Sequence, residues 1–207
     1  MLYESMVEFQ FKEKRNYVQA PDIFEAVMEI ARMYFARYPE NLNGSFHRLL
    51  RSNGILRLFD SENDSQLNDS EVYSFFSISV NKKIYIIKLL GVDSRIKLSR
   101  RYDEDDVLKK AVLHDKVIAM PFSTGYTYME QIVTMTKRLH LTIYPDAQGK
   151  WLATKIYMEY FFDPVLYDGK IITVKAMRNF HNRLTENSIF LDDAPVGSVY
   201  FSSTNWE

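Results

Sequence analysis

Hydrophobic and polar residues alternate with a period of two along several segments of the chain, and this pattern predicts β-strands. The alternation is clear after Met6, where apolar residues take every second position up to Lys12. Residues 72–90 are rich in aromatic and β-branched side chains, and Asn-Lys-Lys at 81–83 predicts a hairpin turn between two strands. The other segments that the pattern assigns to strands are 136–144, 151–162 and parts of 188–202.

Two segments have the spacing of helices instead. The first is predicted to begin at Asp22, with Glu25 completing a capping box, and to end near Tyr38, before a proline. The second covers 103–114, where a run of acidic residues favours a helix N-terminus. The segments for which the pattern leaves helix and strand both open are 46–59 and 170–182.

These elements predict an α+β fold, in which a predominantly antiparallel, twisted β-sheet packs against two or three helices. The length of 207 residues suits a single globular domain over 1–207. No internal repeat is visible, and the weakest seam in the chain is 93–120.

Composition excludes several classes of protein. With no cysteine, the chain cannot form disulfides, thiolate metal sites or thiol nucleophiles. The net charge of −1 argues against dedicated, sequence-specific nucleic-acid binding. Because we find neither a signal peptide nor an apolar stretch long enough for a transmembrane segment, we expect a cytoplasmic or virion location.

An acidic segment before residue 72 spaces its oxygen ligands as a calcium-binding loop does. Asp60, Glu62, Asp64, Gln66 and Glu71 fall at loop positions 1, 3, 5, 7 and 12, and the segment resembles a single EF-hand. The resemblance implies a Ca²⁺ site. The alternative is a solvated acidic loop that joins two strands, and apart from calcium the sequence indicates no cofactor.

The first predicted strand carries Glu8, Gln10 and Lys12 on one face. This spacing resembles the Glu-X-Glu-X-Lys signature of the triphosphate tunnel family, which implies a metal-dependent phosphohydrolase. Gln10 replaces the second glutamate of the signature. The alternative is an ordinary amphipathic strand.

Two further groups of residues suggest binding surfaces. Clustered cations predict a phosphate or anionic membrane surface. An aromatic-rich segment predicts an interface with a protein partner. The cations are Lys12, Lys14, Arg15, Lys82, Lys83, Arg100 and Arg101, and the aromatic residues are Tyr157, Tyr160, Phe161 and Phe162.

The order of elements is similar to that of the folded core of rhabdovirus matrix proteins of the vesiculovirus type. The segments that carry this likeness are 8–12, the helix from Asp22, 45–59, 121–146 and 174–201. The resemblance implies a non-enzymatic structural protein of the virion, which self-associates and contacts nucleocapsid or membrane. A structural or assembly role is therefore the predicted function, with a calcium-binding interaction module and the phosphohydrolase as alternatives.

Overall fold

The computed structural model describes residues 1–61, 71–159, 169–181 and 183–204. The chain divides into two compact units, residues 1–102 and 103–207. Their boundary lies inside the segment 93–120 that the sequence marks as the weakest seam. Whether the two units form one domain stays a prediction.

Unit 1 combines one long helix with an antiparallel sheet of strand order β1-β4-β6-β5-β3 and a short parallel pair, β2 and β7. Every pairing given for the larger sheet is antiparallel. Its elements are β1 (Tyr3–Val7), β2 (Phe11–Lys12), α1 (Ala20–Phe35), β3 (Asn41–Phe46), β4 (Ser52–Asp60), β5 (Val72–Val80), β6 (Lys83–Arg95) and β7 (Ser99–Arg100).

The first helix lies close to its predicted position. Its buried face consists of apolar residues at helical spacing, including Ile23, Val27 and Ile30. The predicted capping box at its start is wrong, because the N-cap is Gln19 and its side chain makes no capping hydrogen bond. Asp22 lies in the first turn and binds two cations instead.

The β5–β6 hairpin confirms the strand pair predicted for 72–90. Asn81 and Lys82 at the turn have φ angles of 52° and 62°, as a two-residue type I′ connection requires. The segment 46–59, which the sequence leaves open, contains the end of β3 and most of β4. In β4 the buried Leu56 and Leu58 occupy alternate positions.

Unit 2 has an antiparallel sheet of strand order β8-β9-β11-β12-β13-β10. Only one turn of the predicted helix at 103–114 forms, and a strand follows it. The segment 170–182, for which the sequence leaves helix and strand open, is largely strand. The elements are α2 (Glu104–Val107), β8 (Val112–His114), β9 (Val117–Pro121), α3 (Tyr128–Ile143), β10 (Lys150–Met158), β11 (Ile171–Phe180), β12 (Leu184–Leu191) and β13 (Ala194–Thr204).

The predicted strand at 136–144 is wrong, because these residues form the second half of α3. Ile132, Met135, Leu139 and His140 are fully buried, at the i, i+3, i+7 and i+8 spacing of a helix face. The local alternation of polar and apolar residues after Thr136 conceals this longer period.

We expect Thr127→Ala to lower the free energy of unfolding by about 1 kcal/mol, since it removes the capping box of α3. The Thr127 side chain accepts a hydrogen bond from the Glu130 amide at 3.2 Å, and Glu130 accepts from the Thr127 amide at 2.9 Å. Denaturant titration measures the loss. Gln19→Ala, at the N-cap of α1, is the matched control and should change stability by less than about 0.5 kcal/mol; equal losses would contradict the assignment.

Both units share one order of elements that the sequence does not reveal. Each contains a strand, then a long helix, then four strands: β1, α1 and β3–β6 in unit 1, and β9, α3 and β10–β13 in unit 2. The sheets differ in the relative order of their last two strands. The predicted α+β class, with a predominantly antiparallel sheet, is confirmed.

Candidate functional site

A cluster of buried polar side chains lies between α3 and the sheet of unit 2. His140 Nε2 is 2.9 Å from Asn187 Oδ1 and 3.1 Å from Thr185 Oγ1, and all three residues are fully buried. Thr185 and Asn187 face inward because buried residues occupy every second position of β12. Helix and strand thus bring together three polar groups that are distant in sequence.

The hydrogen bonds of Asn187 fix the tautomer of His140. Asn187 Nδ2 donates to the Val199 carbonyl at 3.1 Å, so its Oδ1 points towards the imidazole and needs a donor there. His140 Nε2 therefore carries the proton in the neutral ring. Nδ1 is left with a lone pair, and it is buried without a hydrogen-bond partner among the described residues.

Aromatic rings surround this imidazole. Their centroids lie 4.6 Å (Trp151), 5.3 Å (Phe201) and 5.7 Å (Tyr144) from that of His140. Burial lowers the pKa of His140 to about 4, and the hydrogen bond with Asn187 opposes this shift. At neutral pH the site therefore holds a neutral imidazole that can accept a proton or a hydrogen bond at Nδ1.

Tyr144 is the wall of this site that reaches solvent. It is half-buried at the C-terminal end of α3, between exposed residues and the fully buried His140. Burial raises the pKa of its phenol, and a hydrogen bond with Asn179 opposes the shift.

Sequence reasoning did not identify His140 as a candidate site residue. The misassigned strand at 136–144 placed this residue on the polar face. The helical spacing of 132, 135, 139 and 140 was the signal that could have identified it as buried.

The structure brings three of the seven predicted cation-site residues together in unit 1, around the ring of Tyr102. Lys12 Nζ lies 4.7 Å from the ring centroid, and the guanidinium carbons of Arg100 and Arg15 lie 5.8 Å and 6.0 Å away. Asp22 Oδ1 forms an ion pair with Lys12 at 3.0 Å and accepts a hydrogen bond from Arg100 at 3.2 Å. This is a partly buried ionic cluster on β2, β7 and α1.

The other predicted cations lie elsewhere. Lys83 pairs with Asp60 at 2.6 Å, and the remaining three are exposed. Phosphate or membrane binding by the seven residues stays a prediction. The three exposed cations are Lys14, Lys82 and Arg101.

The calcium loop falls mostly outside the described residues. Of its five proposed ligands, the structure describes only Asp60, at the end of β4, and Glu71, just before β5. Within the described ranges, no three histidine or acidic side chains form a group that could hold a metal ion. The calcium site stays a prediction. Glu62, Asp64 and Gln66 lie in the undescribed segment.

The one-face arrangement of Glu8, Gln10 and Lys12 is wrong. The chain leaves β1 after Val7 and enters β2 at Phe11, so the first two residues are exposed outside any strand, whereas Lys12 is buried. The predicted single strand is therefore interrupted between Val7 and Phe11, and its alternation does not place the three side chains on one face. The geometry expected of a triphosphate tunnel is therefore not formed.

The predicted aromatic interface is described only at Tyr157, which is 38% exposed on β10. Tyr160, Phe161 and Phe162 lie outside the described residues. In the part of the chain that the structure describes, no helix is long and apolar enough to cross a membrane.

The fold is similar to that of several solved structures, although no protein-family model and no curated protein sequence matches the chain. The tesB protein of Mycobacterium avium subspecies paratuberculosis has a TM-score of 0.56 and 12% identity, with 99% of this chain and 94% of that chain covered. The dehydratase domain of PpsC from Mycobacterium tuberculosis, solved in complex with C12:1-CoA, has a TM-score of 0.54 and 10% identity, covering 98% and 93%. A putative thioesterase from Novosphingobium aromaticivorans has a TM-score of 0.51 and 8% identity, covering 99% and 95%.

These structures overturn the likeness to rhabdovirus matrix proteins. The prediction of a viral matrix protein or virion component is therefore wrong, and the non-enzymatic assembly role that rested on it is wrong as well. Self-association was predicted from the same resemblance and stays a prediction. The strand–helix–four-strand pattern in both units belongs to the hotdog fold, which this chain shares with thioesterase and dehydratase domains.

Proposed function

We propose that the protein is an enzyme that hydrolyses acyl thioesters. The observation that carries the proposal is the likeness of fold over 98–99% of the chain to structures that include a putative thioesterase and a dehydratase domain in complex with C12:1-CoA. The hydrophobic environment of His140 supports it further, because an acyl chain needs apolar walls and hydrolysis needs a proton acceptor.

In this proposal His140 Nδ1 is the general base. It takes a proton from water as the water oxygen bonds to the thioester carbonyl carbon. The carbon–sulfur bond then breaks, the electron pair leaves with sulfur, and His140 returns the proton to it, so that the products are a carboxylic acid and a thiol. Asn187 and Thr185 hold the imidazole in the required tautomer, and the substrate enters past Tyr144.

The proposal is tested with a panel of acyl-CoA thioesters of increasing chain length. Released CoA is detected with a thiol-reactive chromogenic disulfide, and the protein adds no background because it contains no cysteine. We expect turnover that depends on chain length. Failure to release thiol from any member of the panel would overturn the proposal.

His140→Gln should lower kcat/KM by about 100-fold or more, since it removes the general base. The wild-type rate should be constant above about pH 5 and fall as His140 is protonated near its pKa of about 4. His114→Gln is the matched control, because His114 is exposed in the same unit and should leave the rate unchanged. Full activity of His140→Gln would show that His140 is not the general base.

Stability must be measured over the same pH range to separate unfolding from loss of the base. The pKa of His140 is lowered from 6.5 on folding, so the unfolded chain binds its proton first as pH falls. The free energy of unfolding therefore decreases from about pH 6.5 to about pH 4 and levels off below. Activity should persist from pH 6.5 to about pH 5 while stability already declines, and it should fall only near pH 4.

We also propose the cytoplasm as the location of this activity. A chain without cysteine is suited to a reducing compartment, since it needs no disulfide. Fractionation of cells that express the protein at native levels would test this.

A further inference from the structure

The end of the hairpin between β11 and β12 is exposed on the surface of unit 2. From Met177 to Leu184, every residue whose burial is described is exposed. Earlier in β11, by contrast, alternate residues are buried up to Ala176. A register shift between Ala176 and Arg178 marks the change, and β11 is exposed beyond it. β12 stays in the sheet, where Leu184 pairs with Ser202 of β13. We call residues 175–181 and 183–184 the ribbon.

The ribbon displays large apolar side chains on exposed backbone. Met177 is 51% exposed, Phe180 is 46% exposed and Leu184 is 38% exposed. Phe180 and Leu184 are direct cross-strand partners at its end. Among the described residues, these three exposed side chains form an apolar tip at the end of the hairpin.

The charge around this tip is mostly positive. Between Gly169 and Thr185 the chain contains no aspartate or glutamate, whereas it contains four lysines and arginines. Three of them belong to the ribbon and are exposed: Lys175, Arg178 and Arg183. Arg178 lies 3.7 Å from Glu186 but keeps most of its side chain in solvent.

We propose that the ribbon docks the protein on an anionic lipid bilayer. Its apolar tip would enter the interface, and its cations would contact the lipid phosphates, each adding about fivefold to affinity, which is ~1 kcal/mol near an anionic surface. Charge complementarity favours this occupant. So do the exposed apolar side chains beside the cations, because an anionic bilayer has an apolar interior directly beneath its phosphates.

The ribbon is continuous with the candidate site. Asn179 pairs in register with Thr185, and it also hydrogen-bonds with Tyr144, the wall of the site that reaches solvent. Thr185 contacts His140 directly. If the proposed function holds, a docked ribbon would place the entrance of the site next to membrane-borne acyl chains; the docking itself does not depend on that function.

Cosedimentation with phosphatidylcholine vesicles, with and without phosphatidylglycerol, tests the docking without any activity measurement. We expect binding to the anionic vesicles that weakens with salt. Phe180→Ser should weaken it about tenfold through lost apolar burial, and Arg178→Ala with Arg183→Ala about 25-fold.

Leu141→Ser is the matched control, because Leu141 is 57% exposed on α3, outside the ribbon, and its loss should leave binding unchanged. Light scattering of each variant identifies a change of oligomeric state. No binding to anionic vesicles, equal binding of wild type and ribbon variants, or a ribbon that serves only to join two copies would each overturn the proposal. A protein that binds these vesicles but lacks thioesterase activity would contradict only the proposed function.

Discussion

Asp22→Ala should lower the free energy of unfolding by about 3 kcal/mol or more, the cost of breaking a buried ion pair from one side. The Lys12 ammonium has no exposed surface and lies 3.0 Å from Asp22 Oδ1, and the same oxygen accepts from Arg100. Removing the carboxylate leaves a desolvated cation beside Tyr102 without this partner. Equilibrium denaturation by urea, followed by tryptophan fluorescence or circular dichroism, measures the loss.

Lys12→Met combined with Asp22→Ala should recover most of that loss, because removal of both charges also removes the desolvation penalty. Glu29→Ala on the same helix is the matched control. Glu29 pairs with Arg32 on the surface, where both side chains are about half exposed, so its removal should change stability by less than about 0.5 kcal/mol. Similar losses for Asp22→Ala and Glu29→Ala would show that the Lys12 pair is solvated.

Gly197→Ala should destabilise the protein by about 3 kcal/mol, because the strands β10 and β13 pack too closely at this point for a side chain. A β-carbon there would overlap the Tyr157 carbonyl oxygen, and it would lie 2.9 Å from Met158 Sδ and 3.1 Å from Met158 Cα. Backbone atoms cannot move aside as a flexible side chain can, so the two strands must separate. Thermal unfolding should show a clear drop in Tm.

Gly125→Ala provides the comparison at a glycine with space around it. The nearest atom to a β-carbon there is Ser123 Oγ, at 3.6 Å, an ordinary van der Waals distance. We expect a change within about 0.5 kcal/mol. An equally small loss of stability for Gly197→Ala would show that β10 and β13 are further apart at this point than the structure shows.

The sequence predicts those elements whose signals are local. The β5–β6 hairpin was found because its alternation and turn residues lie within one continuous segment, and α1 because its apolar stripe has few interruptions. Helix α3 was missed because its buried face includes Thr134, Thr136 and His140, polar residues that hide the helical period. Without that helix, the predicted order of elements resembled the wrong family.

The candidate site could not be predicted because its members meet only in the folded chain. His140 comes from a helix, whereas Thr185 and Asn187 come from a strand more than forty residues later. Lys12 was identified as a cation, but its burial depends on a strand break after Val7 and on Asp22 in α1. The spacing of these residues along the sequence predicts neither arrangement.

The tautomer of His140 is set by the alignment of two strands. Asn187 is oriented by the Val199 carbonyl, its partner across the β12–β13 ladder. A slip of one residue in that ladder would turn Asn187 to the opposite face of the sheet and bring Glu186 or Ser188 against the imidazole instead. The protonation pattern of one buried ring is thus a property of the whole hairpin, and a substitution at the distant β12–β13 turn could alter the acid–base chemistry of the site without touching any of its residues.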